Sequence, residues 1–180
     1  MIYMSSTASH SQKHFRALVE DHGDRIYNLA LMRCNDLDLA KDISQETFLR
    51  AYKGISNFRN EAEVGTWLYR IALNVCHTVL ARESNRSKLN VALEPEYFEA
   101  SADDMSIEDD HLAGIQKEQI RKAILRLPRN QGDAITLYYL KEFQYSEVAD
   151  IMAIPINTVK SHLRRAKQNL RGILKKEVSL

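Results

Sequence analysis

The sequence is poor in the residues that mark specialised chemistry. Its two cysteines, Cys34 and Cys76, lie far apart, with no CxxC pair and no Cys/His cluster. Neither a disulfide framework nor a structural zinc site is therefore expected. Each cysteine falls in an apolar helical pattern, where a free, packed thiol is expected. His10 and His14 stand four residues apart but have no third ligand beside them, so neither a metal nor a cofactor is expected. No apolar run approaches the length needed to span a membrane, and the N-terminus lacks the charged-then-apolar pattern of a signal peptide. A cytoplasmic protein is expected. Strand-like alternation is missing throughout, which leaves an all-α chain.

Net charge is also scarce, at +1 over 180 residues, but its distribution is uneven. Residues 1–93 carry twelve Lys and Arg against ten Asp and Glu, a net +2. Residues 94–110 carry eight acids and no base, and residues 111–180 carry thirteen bases against six acids, a net +7. A strongly basic C-terminal third behind an acidic segment favours a nucleic-acid partner for that third. The hydrophobic fraction of 44% is ordinary for globular proteins and excludes disorder throughout.

Along the chain, residues 1–12 read as a polar, frayed leader, with Met4 a second candidate start. From Lys13 to about Cys34, Phe15, Leu18, Val19, Ile26, Leu29 and Ala30 form one helical stripe. Asn35-Asp36 reads as a turn and Asp38 as the cap of a second helix. The packing face of that helix is Ala40, Ile43, Thr47, Phe48, Ala51, Tyr52 and Ile55, leaving Asp42, Gln45, Glu46 and Arg50 outward. A polar loop with Phe58, Arg59 and Asn60 precedes a third helix from Thr66 to about Arg82. Leu68, Ile71, Ala72, Val75 and Val79 pack inward there, while Trp67, Arg70, Asn74 and His77 share another face. An aromatic beside a cation and amides suits single-stranded nucleic acid, although a half-buried tryptophan also serves as a core anchor.

Residues 82–88 read as a chain exit and residues 91–111 as a flexible, self-repelling acidic linker. The helical period resumes from Leu112, with Ile115, Gln119, Ile120, Ala123, Ile124 and Leu127 leading to Pro128. A further helix over residues 129–140 buries Ala134, Ile135, Leu137 and Tyr138. A short helix from Ser146 to Met152 is then interrupted by Ala153, Ile154 and Pro155, since proline disfavours a helical residue before it. Asn157 reads as the cap of a last helix. Val159, Leu163, Ala166, Leu170 and Ile173 face inward on it, and Lys160, Arg164, Lys167, Arg171 and Lys175 lie on another face. A short helix, a tight turn and a basic second helix form a helix-turn-helix, whose second helix enters the major groove. Thr158, Lys160, Ser161, His162, Arg164 and Arg165 are the residues expected at bases and phosphates there.

Three stretches in order, DISQETFLRAY (42–52), FRNEAEVGTWLYRIALN (58–74) and LPRNQGDAITLYYLKEFQYSEVADIMAIPINTVKSHLRRAK (127–167), give the chain a family resemblance. Over residues 13–176 it resembles the extracytoplasmic-function (group IV) sigma factors of bacterial RNA polymerase, of the envelope-stress sigma-E type. The resemblance implies two small helical domains. Residues 13–90 would be region 2, binding core polymerase and the minus-10 element. Residues 112–180 would be region 4, binding the minus-35 element. It further implies that Asp42, Gln45 and Glu46 dock on the polymerase clamp helices. Phe58, Arg59 and Asn60 match the loop that receives a flipped minus-10 base, and Trp67, Arg70 and Asn74 match the adjoining helix. An anti-sigma partner is implied too, and a membrane-bound one would hold the protein at the inner membrane. No catalytic residue, stable homo-oligomer or C-terminal sensing domain is expected. Ser44 departs from the apolar residue usual in the family, and Glu61 and Glu63 add negative charge to the base-reading loop.

Two other classes fit parts of the sequence. A stand-alone regulator would use the same helix-turn-helix, but such proteins dimerise on two-fold sites and no clear dimerisation stripe is present. A DNA-acting enzyme needs a nucleophile with supporting acid and base groups, and no compact set of these occurs.

Overall fold

The computed structural model describes residues 5–55, 63–89 and 118–178, with side chains given for 15–55, 63–86, 118–139 and 141–175. All regular structure among the described residues is helical. The chain divides into two compact units, Met1–Arg86 and Ser87–Leu180.

In the first unit, α1 (Ser5–Cys34) packs on α2 (Leu37–Gly54), and α3 (Val64–Leu89) adds its apolar stripe to the same core. The first helix begins at Ser5 rather than at Lys13, so most of the segment expected to fray is helical. It ends where Asn35 adopts the left-handed conformation (φ 55°), which Asn tolerates, and donates its N–H to the Leu31 carbonyl at 2.8 Å. The Asp36 carboxylate then accepts from the Leu39 N–H at 2.8 Å, so Asp36 caps α2, not Asp38. Asp38 falls in the first turn, where its charge favours the helix dipole.

Leu18, Ile26, Leu29 and Ala30 of α1, Ala40, Ile43 and Ala51 of α2, and Leu68, Ala72 and Val75 of α3 are all buried, and Ala30, Ala40, Ile43 and Val75 pack in one cluster. Each fully buried Leu, Ile or Val contributes about 1.5–3 kcal/mol from its removal from water. Thr47 is also fully buried, and its hydroxyl is satisfied by donating to the Ile43 carbonyl at 2.7 Å. Cys76 sits in this core with Cys34 packed at its edge, and neither is in a disulfide. Phe15 is edge-on to Phe48 and Tyr52, with centroids 6.4 and 5.0 Å away. Two residues of the expected stripes are exposed instead, Val19 and Tyr52. Residues 82–88 are not an irregular exit, because α3 runs on to Leu89. The expected linker, residues 91–111, lies outside the described residues.

The second unit is described from α4 (residues 118–125) onward. Pro128 opens α5 (Arg129–Ile135), its carbonyl accepting from the N–H groups of Gln131 and Gly132. The expected single helix over 129–140 is broken in character: Thr136–Leu140 is a π-turn. The wider turn keeps Leu137 buried but rotates Tyr138 to a half-buried position and Tyr139 outward. Ile120, expected inside, is exposed as well.

Next come α6 (Tyr145–Met152) and α7 (Ile156–Val178), the helix-turn-helix. The Gln144 N–H donates to the Glu147 carboxylate at 2.7 Å, satisfying an orphan amide at the start of α6. Ala153 closes the helix in the left-handed conformation (φ 53°), and the Ile154 N–H returns to the Ala149 carbonyl. Pro155, not Asn157, stands at the start of α7: its carbonyl accepts from Thr158 and Val159, and Asn157 lies within the first turn. Proline suits this place because its fixed φ and missing N–H cost nothing at a helix start. Val148 and Ile151 of α6 and Val159, Leu163 and Ala166 of α7 are buried together with Ala123, Ile124, Leu127, Ala134 and Leu137. A hydrogen bond between side chains, Asn169 Nδ2 donating to Gln131 Oε1 at 2.8 Å, ties α7 to α5.

Candidate nucleic-acid interface

The clearest site is the outer face of α7. Burial of Val159, Leu163 and Ala166 fixes the helix's rotation, so Lys160, Arg164, Arg165, Lys167 and Arg171 stand on the exposed side. Thr158, Ser161 and His162 are half-buried at its flank. The Ser161 hydroxyl donates back to the Asn157 carbonyl at 3.0 Å, which leaves its oxygen free to accept from a base amine. His162 keeps Nδ1 buried without a hydrogen-bond partner.

A second face lies on α2. Asp42 and Gln45 are exposed, and the half-buried Glu46 accepts from Arg50 Nε at 2.7 Å. Leu49 completes this face, at helical spacing from Asp42, Gln45 and Glu46, and is 48% exposed. In the sequence Leu49 belongs to neither the packing face nor the polar face of α2, and its one signal there is that of an apolar residue outside the packing stripe.

On α3, Arg70 and Asn74 are exposed at i, i+4 spacing and Trp67 is half-buried one turn earlier. The Trp67 ring lies against Gly54 at the end of α2. The structure thus brings Trp67, Arg70 and Asn74 onto one side of a helix. Phe58, Arg59 and Asn60 lie outside the described residues. No cluster of three or more His, Cys, Asp or Glu able to hold a metal occurs among the described residues, and no described helix is long and apolar enough to cross a membrane.

The two helical units coincide with two known modules. A sigma-70 region 2 model matches residues 18–86, and a sigma-70 region 4 model matches residues 117–170. The RNA polymerase sigma-H factor of Pseudomonas aeruginosa is 31% identical over 159 residues, covering 86% of this chain and 82% of that protein. The ECF RNA polymerase sigma factor SigW of Bacillus subtilis is 31% identical over 169 residues, covering 91% and 90%. The chain belongs to the extracytoplasmic-function sigma factors. Among solved structures, this sigma factor is similar in fold to RpoE of Bartonella quintana, crystallised with the anti-sigma factor NepR. That match has a TM-score of 0.72 at 22% identity and covers 91% of this chain and 98% of RpoE. Members of the family are alternative sigma factors of transcription initiation, and they regulate rather than catalyse.

Proposed function

We propose that this sigma factor delivers core RNA polymerase to promoters of a stress or environmental regulon by dividing the work between its two units. The α2 face, with Asp42, Gln45 and Glu46, docks on the clamp helices of the polymerase. Charged and polar groups on a rigid helix give orientation and partner choice against a basic surface. The α7 face reads the minus-35 duplex: Lys160, Arg164 and Arg165 take phosphates or guanines, and Thr158, Ser161 and His162 reach base edges. In the minus-10 region, Trp67, Arg70 and Asn74 hold the melted strand, and Phe58, Arg59 and Asn60 receive an extruded base. Extrusion costs a few kcal/mol of unstacking, which ring and amide contacts offset.

The observation that carries this reading is the split of α7 into a buried apolar stripe and an exposed cationic one. The acidic segment 91–111 serves as the connection between residues 13–90 and 112–180. A cytoplasmic anti-sigma factor, or the cytoplasmic part of a membrane-bound one, would cover the same faces until a signal releases them. RpoE of Bartonella quintana, in its complex with NepR, supports that partner class.

In vitro transcription with purified protein, core polymerase and genomic promoter fragments tests the proposal. Discrete start sites that require both proteins are expected. Asp42→Ala with Gln45→Ala should weaken core binding and leave the full-length chain's affinity for duplex DNA intact. Salt-sensitive DNA binding with no new transcripts would instead favour a stand-alone regulator.

A further inference from the structure

Tyr139 is 45% exposed, a large aromatic left outside the core by the π-turn. It is not loose. Its ring stands edge-on to Tyr138, with centroids 4.7 Å apart, and Tyr138 lies parallel to Tyr145, 4.6 Å away at the first residue of α6. The three rings form a shelf that spans the loop between the π-turn and the helix-turn-helix. The Lys167 ammonium of α7 lies 5.0 Å from the centroid of the Tyr139 ring.

The pairing leaves donors to spare. Tyr139 beside it raises the Lys167 pKa above its ordinary value, so the side chain is a cation at neutral pH. An ammonium has three N–H donors, and the tyrosine O–H beside it is a fourth. An N–H⁺ and an O–H side by side suit the two non-bridging oxygens of one phosphodiester.

Position supports the same ligand. Lys167 continues the exposed stripe of Lys160 and Arg164, about 10 Å further along the axis than Lys160 at 1.5 Å per residue. A helix that enters the groove by its first turns meets the flanking backbone at such a distance. The groove beside the rings is lined by Tyr138, Tyr139 and Tyr145 together with Glu142, and Lys167 is not part of its lining. The Glu142 carboxylate disfavours a phosphate inside that groove, which leaves the contact between Tyr139 and Lys167 as the place for one.

We propose that Tyr139 and Lys167 together form a phosphodiester clamp at the flank of the DNA-reading helix, built from an element outside the helix-turn-helix. The proposal rests on the reading of α7 as the duplex-binding helix. The clamp adds affinity without base preference, and the ring shelf orders the tyrosine before DNA arrives, which limits the entropy lost on binding.

Binding of the full-length protein to a generic duplex of about 30 base pairs, titrated over KCl concentration, tests it. Lys167→Ala should lower the slope of log affinity against log salt by about 0.9, the value for one lost phosphate contact. Tyr139→Phe should weaken binding roughly threefold at fixed salt, the direction expected for a lost hydroxyl contact. It should cost nothing further in the Lys167→Ala background, because the two act as a unit. Both residues are exposed, so the thermal transition should not move. An unchanged slope for Lys167→Ala, or a Tyr139→Phe effect of equal size in both backgrounds, overturns the clamp. Lys160→Ala with Arg164→Ala separates the two levels. If that pair weakens binding and Lys167→Ala does not, the clamp alone fails. If neither does, the reading of α7 fails, and the clamp with it.

Discussion

A β-carbon at Gly54 would lie 3.3 Å from Cζ2 of Trp67, so the indole of α3 rests on the last turn of α2 in a gap that glycine leaves open. Gly54→Ala is therefore two changes in one. Alanine favours the helix by about 0.5–1 kcal/mol, while the ring must shift by a few tenths of an ångström. Stability should stay within about 1 kcal/mol of the parent. The indole, the protein's one tryptophan, should change its emission, and promoter opening should slow. Unaltered emission together with unaltered open-complex formation would show that this seat does not position Trp67.

Leu49 stands among Asp42, Gln45 and Glu46, an exposed apolar side chain in a polar surround. Interfaces draw most of their energy from such a central residue with a polar rim. Leu49→Ser should lower affinity for core polymerase about tenfold, the effect of losing one modest anchor. Little packing is lost, so the melting temperature should hold. Surface plasmon resonance against core polymerase measures it, and parental affinity would remove Leu49 from the interface.

His22 on α1 lies against Gly65, where a β-carbon would meet its Cε1 at 3.3 Å. Its pKa is lowered from 6.5, chiefly by burial and next by the charge of Arg25, with Asp21 opposing both. The unfolded chain thus binds this proton more readily than the folded one. Its stabilising contribution is complete above the unfolded value near 6.5 and is lost as pH falls toward the depressed folded value. Calorimetry between pH 7.5 and about 5 should show the first unit's transition falling less steeply in His22→Gln than in the parent. Equal slopes would assign the acid sensitivity elsewhere.

Ile151 is fully buried in α6 beside the buried Val148, Val159 and Leu163 of the helix-turn-helix core. Ile151→Ala removes three carbons from a site with little room to collapse, at a cost of about 2–5 kcal/mol. The second unit's thermal transition should drop and duplex binding should fall with it, while core polymerase binding through α2 persists. Loss of both activities in parallel would argue against separate folding of the two units.

The helix-turn-helix was legible because its two faces repeat every three or four residues. Val159, Leu163 and Ala166 had to be inside, and Lys160, Arg164 and Arg165 had to be outside. The caps were less legible. Asp36 and Asp38 are equivalent as residue types, and the choice fell to Asp36 because Asn35 alone took the left-handed turn that ends α1. Pro155 displaced Asn157 for a related reason, since its carbonyl was already aligned with the first amides of α7.

Burial at the margins was not legible at all. Val19, Tyr52 and Ile120 sit on correct apolar stripes, yet a stripe states which side faces a partner and not how far that partner extends. The π-turn at Thr136–Leu140 was hidden for a similar reason, because a one-residue shift in a backbone ladder leaves no mark on a short apolar run. By itself, the sequence determined the all-α class, the order of the helices and the chemical character of each face. Only tertiary packing decided where Trp67 is seated and that Tyr139 turns out to meet Lys167. Those contacts join residues far apart in the chain, and local periodicity carries no information about distance.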